Sequence, residues 1–151
     1  MSYKDNFYSR NSRKIGEEVC EECLDNKKIT YARYGFDELN KIPYDKFVMI
    51  PEVLRNSPDY MVMHRKAFFL EVKCCRYDIR LKLDYIDSYE FWSNMCPLFF
   101  FLYCTSKKEY LTISFNKLKE ISKTCKVDTY EDNNKMYYLI PWSKFDNTVS
   151  R

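Results

Sequence analysis

The sequence predicts an α/β (α+β) fold in which helices pack on a mixed β-sheet. Three observations point there. Stretches rich in β-formers alternate with stretches of helical periodicity. Pro58 to Lys73 reads as an antiparallel hairpin with its turn around His64-Arg65-Lys66. The run Cys96-Pro-Leu-Phe-Phe-Phe-Leu-Tyr-Cys104 is almost wholly apolar and reads as a buried strand.

Taken in order, residues Met1 to Ser12 are polar and tyrosine-rich and read as a loose arm, or as a basic arm lying on a phosphate backbone. Ser12 to Leu24 reads as a helix, with Ser12 as its N-cap and acids crowding its first turns. Ile15, Val19 and Cys23 form an apolar stripe with Cys20 beside them. On this helix Glu18 and Glu22 flank the stripe, while Glu17 and Glu21 point more toward solvent. Of the edge pair, Glu18 is favoured to reach a site lying under the helix.

Asp25 to Lys28 reads as a turn, Ile29 to Tyr34 as a strand ended by Gly35, and Phe36 to Lys46 as irregular or a short helix broken by Pro43. Phe47 to Ile50 is a short apolar piece, and Pro51 to Asn56 leads into the hairpin. After the hairpin, Asp78 to Asn94 reads as a helix with Leu81, Tyr85, Tyr89 and Trp92 on one face. Cys96 to Cys104 and Tyr110 to Ser114 read as strands, joined by a charged turn at Ser106 to Glu109. Asn116 to Lys123 reads as a short helix, and Met136 to Ile140 is the last regular piece before Pro141.

At 151 residues the chain fits one domain with a sizeable core, and 46% hydrophobic and 18% aromatic residues exclude disorder. Only two glycines are present, which excludes a glycine-rich phosphate loop or a dinucleotide fingerprint. The net charge of +3 permits nucleic-acid binding without demanding it. No stretch reaches the roughly 18 apolar residues of a membrane span. The N-terminus has no apolar signal core, so the expected location is intracellular, cytoplasmic or nuclear. Seven scattered cysteines in such a chain are expected as reduced thiols. The CxxC at Cys20 and Cys23, with Cys74-Cys75, leaves a zinc-stabilised adaptor as an alternative.

The hairpin carries the chemistry. Side chains of a strand alternate faces, so Asp59, Met61 and Met63 share one face, as do Phe69, Glu71 and Lys73 on the next strand. A fold about residue 65 sets Asp59 opposite Glu71; a fold about 66 sets it opposite Lys73. Tyr60, Val62, Phe68, Leu70 and Val72 take the other, core face. Two carboxylates at cross-strand distance repel each other unless a cation lies between them. Hard oxygen donors with open positions suit Mg2+ or Mn2+, with the Val72 carbonyl pointing to the same metal. Lys73 can then polarise the attacking water or balance charge on the phosphate. The plainer alternative is a Glu71–Lys73 salt bridge with Asp59 as a strand-start acid. His64 reads as an exposed turn residue. Arg13, Lys14, Arg55, Arg76, Arg80 and Lys82 are candidate DNA-backbone contacts, with Tyr77 and Tyr85 interleaved.

Ser57-Pro58-Asp59 followed by Phe69-Leu-Glu71-Val-Lys73 resembles the core motif of the PD-(D/E)XK nuclease superfamily, and the order of elements is similar over roughly Arg13 to Leu111. The resemblance implies a restriction-endonuclease-like αβββαβ core and a DNA endonuclease of resolvase, homing or phage type, whose hydrolysis leaves a 5′-phosphate. It implies that Asp59 and Glu71 ligate the metal, that Lys73 assists the water, and that a helix glutamate, most simply Glu18, completes the site. Lys82 is a candidate for the extra polar residue that relatives carry on the helix after the hairpin. Cutting two strands needs two sites, so a homodimer is expected, with the helix around Tyr85 to Trp92 as one possible interface. The runner-up is a nucleic-acid-binding module of the same fold that does not cleave.

Overall fold

The structure is a computed structural model that describes residues 3–36 and 42–146, with only the helical backbone described for residues 3–13. Helix α1 runs Tyr3–Asn26, so the backbone of the segment read as a loose arm is helical from Tyr3 onward. No glycine or proline lies between Tyr3 and Ile15 to stop it. Strand β1 (Thr30–Arg33) follows, then two one-turn helices, α2 (Tyr44–Phe47) and α3 (Glu52–Arg55), each entered from a proline.

Strands β2 (Tyr60–Met63) and β3 (Ala67–Cys75) form the expected hairpin. Their register pairs Tyr60 with Leu70 and Met61 with Phe69, which centres the fold on residue 65 and brings Asp59 level with Glu71. After β3 come β4 (Asp78–Lys82), α4 (Leu83–Met95), β5 (Leu98–Cys104), β6 (Glu109–Ser114), α5 (Phe115–Ser122), β7 (Lys126–Thr129) and β8 (Met136–Pro141). A 3-10 turn, Trp142–Phe145, closes the described chain.

The main sheet is five-stranded in the order β1-β2-β3-β5-β6. All its pairs are antiparallel except β3 with β5, whose parallel pairing is bridged by β4 and α4. The sheet is thus mixed and flanked by helices, as expected, and α1-β1-β2-β3-α4-β5 supplies the αβββαβ order once the one-turn helices α2 and α3 and strand β4 are set aside. β4 pairs instead in a separate three-stranded antiparallel sheet, β4-β8-β7.

The segment read as one helix from Asp78 is therefore a strand followed by a helix. Ile79 and Leu81 alternate with Arg80 and Lys82, and both apolar residues are buried. Leu81 mimicked a helical stripe because it lies four residues before Tyr85. Lys82 consequently ends β4 and N-caps α4, and is not on the helix.

Both faces of the main sheet are covered. On one face Tyr60, Val62, Leu70, Val72 and Phe101 pack with Cys20 and Leu24 of α1. On the other, Phe69, Leu98, Phe100 and Leu102 pack with Tyr89 and Trp92 of α4, with α5, and with Ile79 and Ile140 of the small sheet. Each fully buried Phe or Leu here contributes roughly 1.5–3 kcal/mol. Tyr89 and Trp92 are 1% and 3% exposed, so the face suggested as a dimer interface is interior core.

The helical stripe is also rotated from the one expected. Ile15 is exposed, whereas Gly16, Cys20 and Leu24 are buried. A Cβ on Gly16 would sit 3.1 Å from Cys74 Cβ and 3.2 Å from Val72 Cγ1, so α1 lies against β3 at a distance that glycine permits. Among the described residues, no helix is long and apolar enough to cross a membrane.

Candidate active site

Asp59 immediately precedes β2. Its backbone carbonyl accepts from Tyr34 N–H at 2.8 Å, and its Oδ2 accepts from Val72 N–H at 2.8 Å. The ladder between β2 and β3 ends at Tyr60 and Leu70, so the Asp59 carboxylate caps the Val72 amide beyond the last paired residue. In an extended strand a residue's N–H and C=O point to the same edge, so the Val72 carbonyl is directed to the side on which Asp59 lies. Gly35 adopts φ +87°, and a Cβ there would meet Ser57 Oγ at 2.5 Å. Glycine thereby lets the turn after β1 close on Ser57-Pro58 and hold Asp59 in place.

Glu71 lies mid-strand in β3 on the α4 side and is 7% exposed. Its Oε1 accepts from Lys73 Nζ at 2.7 Å and from the Tyr89 hydroxyl at 3.2 Å. Its Oε2 is buried without a hydrogen-bond partner among the described residues. Lys73 Nζ also lies 5.8 Å and 5.9 Å from the ring centres of Tyr89 and Tyr85. The sequence parity that sets Asp59, Glu71 and Lys73 together is thus realised. The face they share is not open, however, because Phe69, Tyr89 and Trp92 pack under it.

Burial, and then the Glu71 charge, push the Asp59 carboxyl well above the usual carboxylate range; Lys73 and the Val72 amide pull it only part of the way back. Burial works against the Lys73 charge, but Glu71, Tyr89 and Asp59 outweigh it and hold the ammonium above an ordinary lysine. Lys73 therefore stays protonated at neutral pH and acts as a fixed cation. Burial and Glu71 push the Tyr89 hydroxyl up, so it remains a donor.

The α1 glutamates fall differently from expectation. Glu18 is exposed, and Glu22 with it. Glu17 and Glu21 are half-buried and face β1, where Arg33 bonds Glu17 at 3.3 Å and Glu21 at 2.8 Å. Glu21 also accepts from Tyr60 Oη at 2.7 Å. The Glu17 charge is among those that push the Asp59 carboxyl up. The reason is the rotated stripe: with Gly16 and Cys20 innermost, Glu17 and Glu21 are the residues beside them. Gly16, read as a contact surface and not as a gap, is the sequence signal for this orientation of the helix.

Among the basic candidates, Lys82 shares an aromatic neighbour with Lys73, its Nζ lying 5.0 Å from the Tyr85 ring centre that Lys73 also faces. Arg80 shares its face of β4. Lys14 is exposed on α1, Arg76 lies in the turn after β3 against Tyr77, and Arg55 lies over Phe47 with its Nε buried and without a hydrogen-bond partner among the described residues. The Arg13 side chain lies outside the described residues. His64 is an exposed turn residue.

Among the described residues no three His, Cys, Asp or Glu side chains gather as a metal site. Cys74 faces Gly16 of α1 while Cys75 enters the opposite core, so Cys20, Cys23, Cys74 and Cys75 do not converge on zinc. Asp59 and Glu71 do fit a hard cation. They are two carboxylates whose charges oppose each other, one with an orphaned buried oxygen, and the Val72 carbonyl is directed to the same side.

No family model matches the sequence, and no curated protein matches it. Solved structures do share its fold. A Holliday junction resolvase from Archaeoglobus fulgidus superposes with a TM-score of 0.51 at 13% identity, over 87% of this chain and 92% of that one. A nuclease from a fusselovirus superposes with a TM-score of 0.51 at 10% identity, over 92% of this chain and 84% of that one. This chain thus shares the fold common to these two nucleases.

Proposed function

We propose that this nuclease fold serves a metal-dependent DNA endonuclease, which hydrolyses phosphodiester bonds at Asp59, Glu71 and Lys73 with Mg2+ or Mn2+. The observation that carries the reading is the orphaned Glu71 Oε2, buried beside a second carboxylate and a fixed ammonium. Asp59, Glu71 and the Val72 carbonyl would hold the cation. Bound there, it supplies Lewis-acid polarisation of the phosphate and a more acidic water.

The chain's own groups do the rest. The Val72 amide fixes the Asp59 rotamer, and Tyr89 and Lys73 fix Glu71 Oε1, leaving Oε2 for the metal. Lys73, held charged, takes no proton; it orients the attacking water and balances charge developing on the phosphate. The glutamate best placed to assist from α1 is Glu17, in place of Glu18. Hydrolysis leaves a 5′-phosphate, and a homodimer supplies the second site needed to cut two strands. The resolvase likeness makes a four-way junction the first substrate to try.

The test is cleavage of linear duplex, supercoiled and four-way-junction DNA by the wild type, Asp59→Ala and Lys73→Ala, with Mg2+ or EDTA. Cutting is expected only from the wild type with Mg2+, with the variants slower by about 100-fold or more. Equal cutting by the variants would remove the site assignment. One observation favours a second reading, a DNA-binding module that does not cleave: among the described residues only two carboxylates gather, and Lys73 already engages one of their oxygens. Tight DNA binding with no cutting of any substrate would establish it.

A further inference from the structure

The small sheet turns Ile79 and Leu81 into the core, which leaves Arg80 and Lys82 on its outer face. Two residues apart on one strand, they are spaced by about 6.6 Å. Neither side chain is loose. Lys82 Nζ lies 5.0 Å from the Tyr85 ring centre and 5.7 Å from that of Tyr130. The Arg80 guanidinium lies 5.7 Å from Tyr130 and 5.1 Å from Tyr137, whose rings pack on each other at 4.4 Å. Lys73 shares the Tyr85 ring with Lys82. Cations and tyrosines thus alternate without a break from the carboxylate site across β4 and β8.

Neighbouring acids do not neutralise this row. Asp128 pairs with Lys126 at 3.9 Å and Asp84 with Lys135 at 3.4 Å. Among the described residues, neither Arg80 nor Lys82 lies within ion-pair distance of a carboxylate. Beyond Tyr130 the turn into β8 carries Glu131 and Asp132, which reverse the sign and end the row. A fully ion-paired surface would gain little from an anion. Two uncompensated cations, immobilised on rings before any ligand arrives, lose less side-chain entropy on binding one.

We propose that this face binds the phosphodiester backbone of the substrate strand leaving the site, with Lys82 and then Arg80 on successive phosphates. The inference rests on the nuclease reading for what lies at the start of the row. It adds the path of the flanking DNA and the residues that set substrate affinity apart from chemistry.

The test is fluorescence anisotropy of labelled single-stranded and duplex DNA in EDTA, where no cutting occurs, over a salt series. The proteins are the wild type, Arg80→Gln/Lys82→Gln, each single variant, and a control, Lys117→Gln/Lys123→Gln, with the same charge loss on and beside α5. Glutamine keeps an aliphatic stem over the rings, and the single variants carry the test if the double one fails to fold. The double variant is expected to lower the slope of log K against log salt by roughly 1.8 on duplex and 1.4 on single strands, each single variant by about half, and the control not at all. With Mg2+ the same variant should raise KM and spare kcat. A slope equal to the wild type's, or an equal drop in the control, overturns the proposal. Slope loss in a protein that never cuts would keep this track and remove the nuclease reading. Normal cutting with an unmoved slope would do the reverse.

Discussion

Replacing Asp59 by asparagine should stabilise the metal-free protein while abolishing its response to metal. Asparagine keeps an oxygen to accept from the Val72 amide, the 2.8 Å contact that Asp59 makes. What it removes is a half-buried negative charge facing Glu71. Two unit charges at a cross-strand separation of about 5 Å repel by about 3 kcal/mol at an effective dielectric constant of roughly 20. Lys73 already offsets part of that repulsion, since it is among the groups that lower the Asp59 pKa. A net gain of about 1–2 kcal/mol remains, and for a chain of this size that raises Tm by about 2–8 °C. The assay is thermal unfolding by circular dichroism at mildly alkaline pH, first in EDTA and then with excess Mg2+. Wild type should gain Tm on adding Mg2+, and Asp59→Asn should start higher and gain nothing. If Asp59→Asn melts below wild type in EDTA, the carboxylate is a structural acceptor and the electrostatic account of the site is wrong.

Further outcomes follow from the same geometry. Because the Asp59 carboxyl is raised above its ordinary 3.8, its protonation favours the folded state; that stabilisation is complete below pH 3.8 and is lost as pH rises through the folded-state value. Metal-free stability measured by urea unfolding should therefore fall with rising pH across that window, and the fall should vanish in Asp59→Asn. Gly16→Val should cost about 1–3 kcal/mol in the same measurement, because the added atoms meet Cys74 and Val72 at distances already tight for a single Cβ. Glu17→Gln should weaken Mg2+ binding several-fold by calorimetry while Glu18→Gln leaves it unchanged, since the Glu17 charge acts on Asp59 and Glu18 is exposed. Tyr89→Phe should cost about 1 kcal/mol through loss of its bond to Glu71.

Local alternation made the hairpin legible. With Asp59, Tyr60, Val62, Leu70 and Glu71 in view, parity and symmetry about residue 65 specify which side chains share a face. The buried run at β5 was equally plain, because a strand covered on both faces has no polar alternation to hide it. What failed to show were features whose signal is not hydrophobicity. The inner stripe of α1 is centred on Gly16, which has no side chain to count, so apolar periodicity alone misplaces the face by one residue and puts Glu18, which is exposed, where Glu17 is half-buried. β4 lent Leu81 to a false helical stripe. β7, Lys-Val-Asp-Thr, is an edge strand too polar and short to stand out. Arg33, which holds Glu17 and Glu21 against β1, is a long-range partner that no local pattern reveals.

The central claim is that Asp59 and Glu71 hold a cation while Lys73 acts on the reaction. Titrating Mn2+ into the wild type, Asp59→Asn, Glu71→Gln and Lys73→Ala, with DNA cleavage followed in the same samples, separates these roles. Both carboxylate variants are expected to lose the metal and the cutting together, whereas Lys73→Ala still binds Mn2+ and does not cut. Wild-type Mn2+ affinity in Asp59→Asn, or undiminished cutting by Lys73→Ala, would contradict the claim.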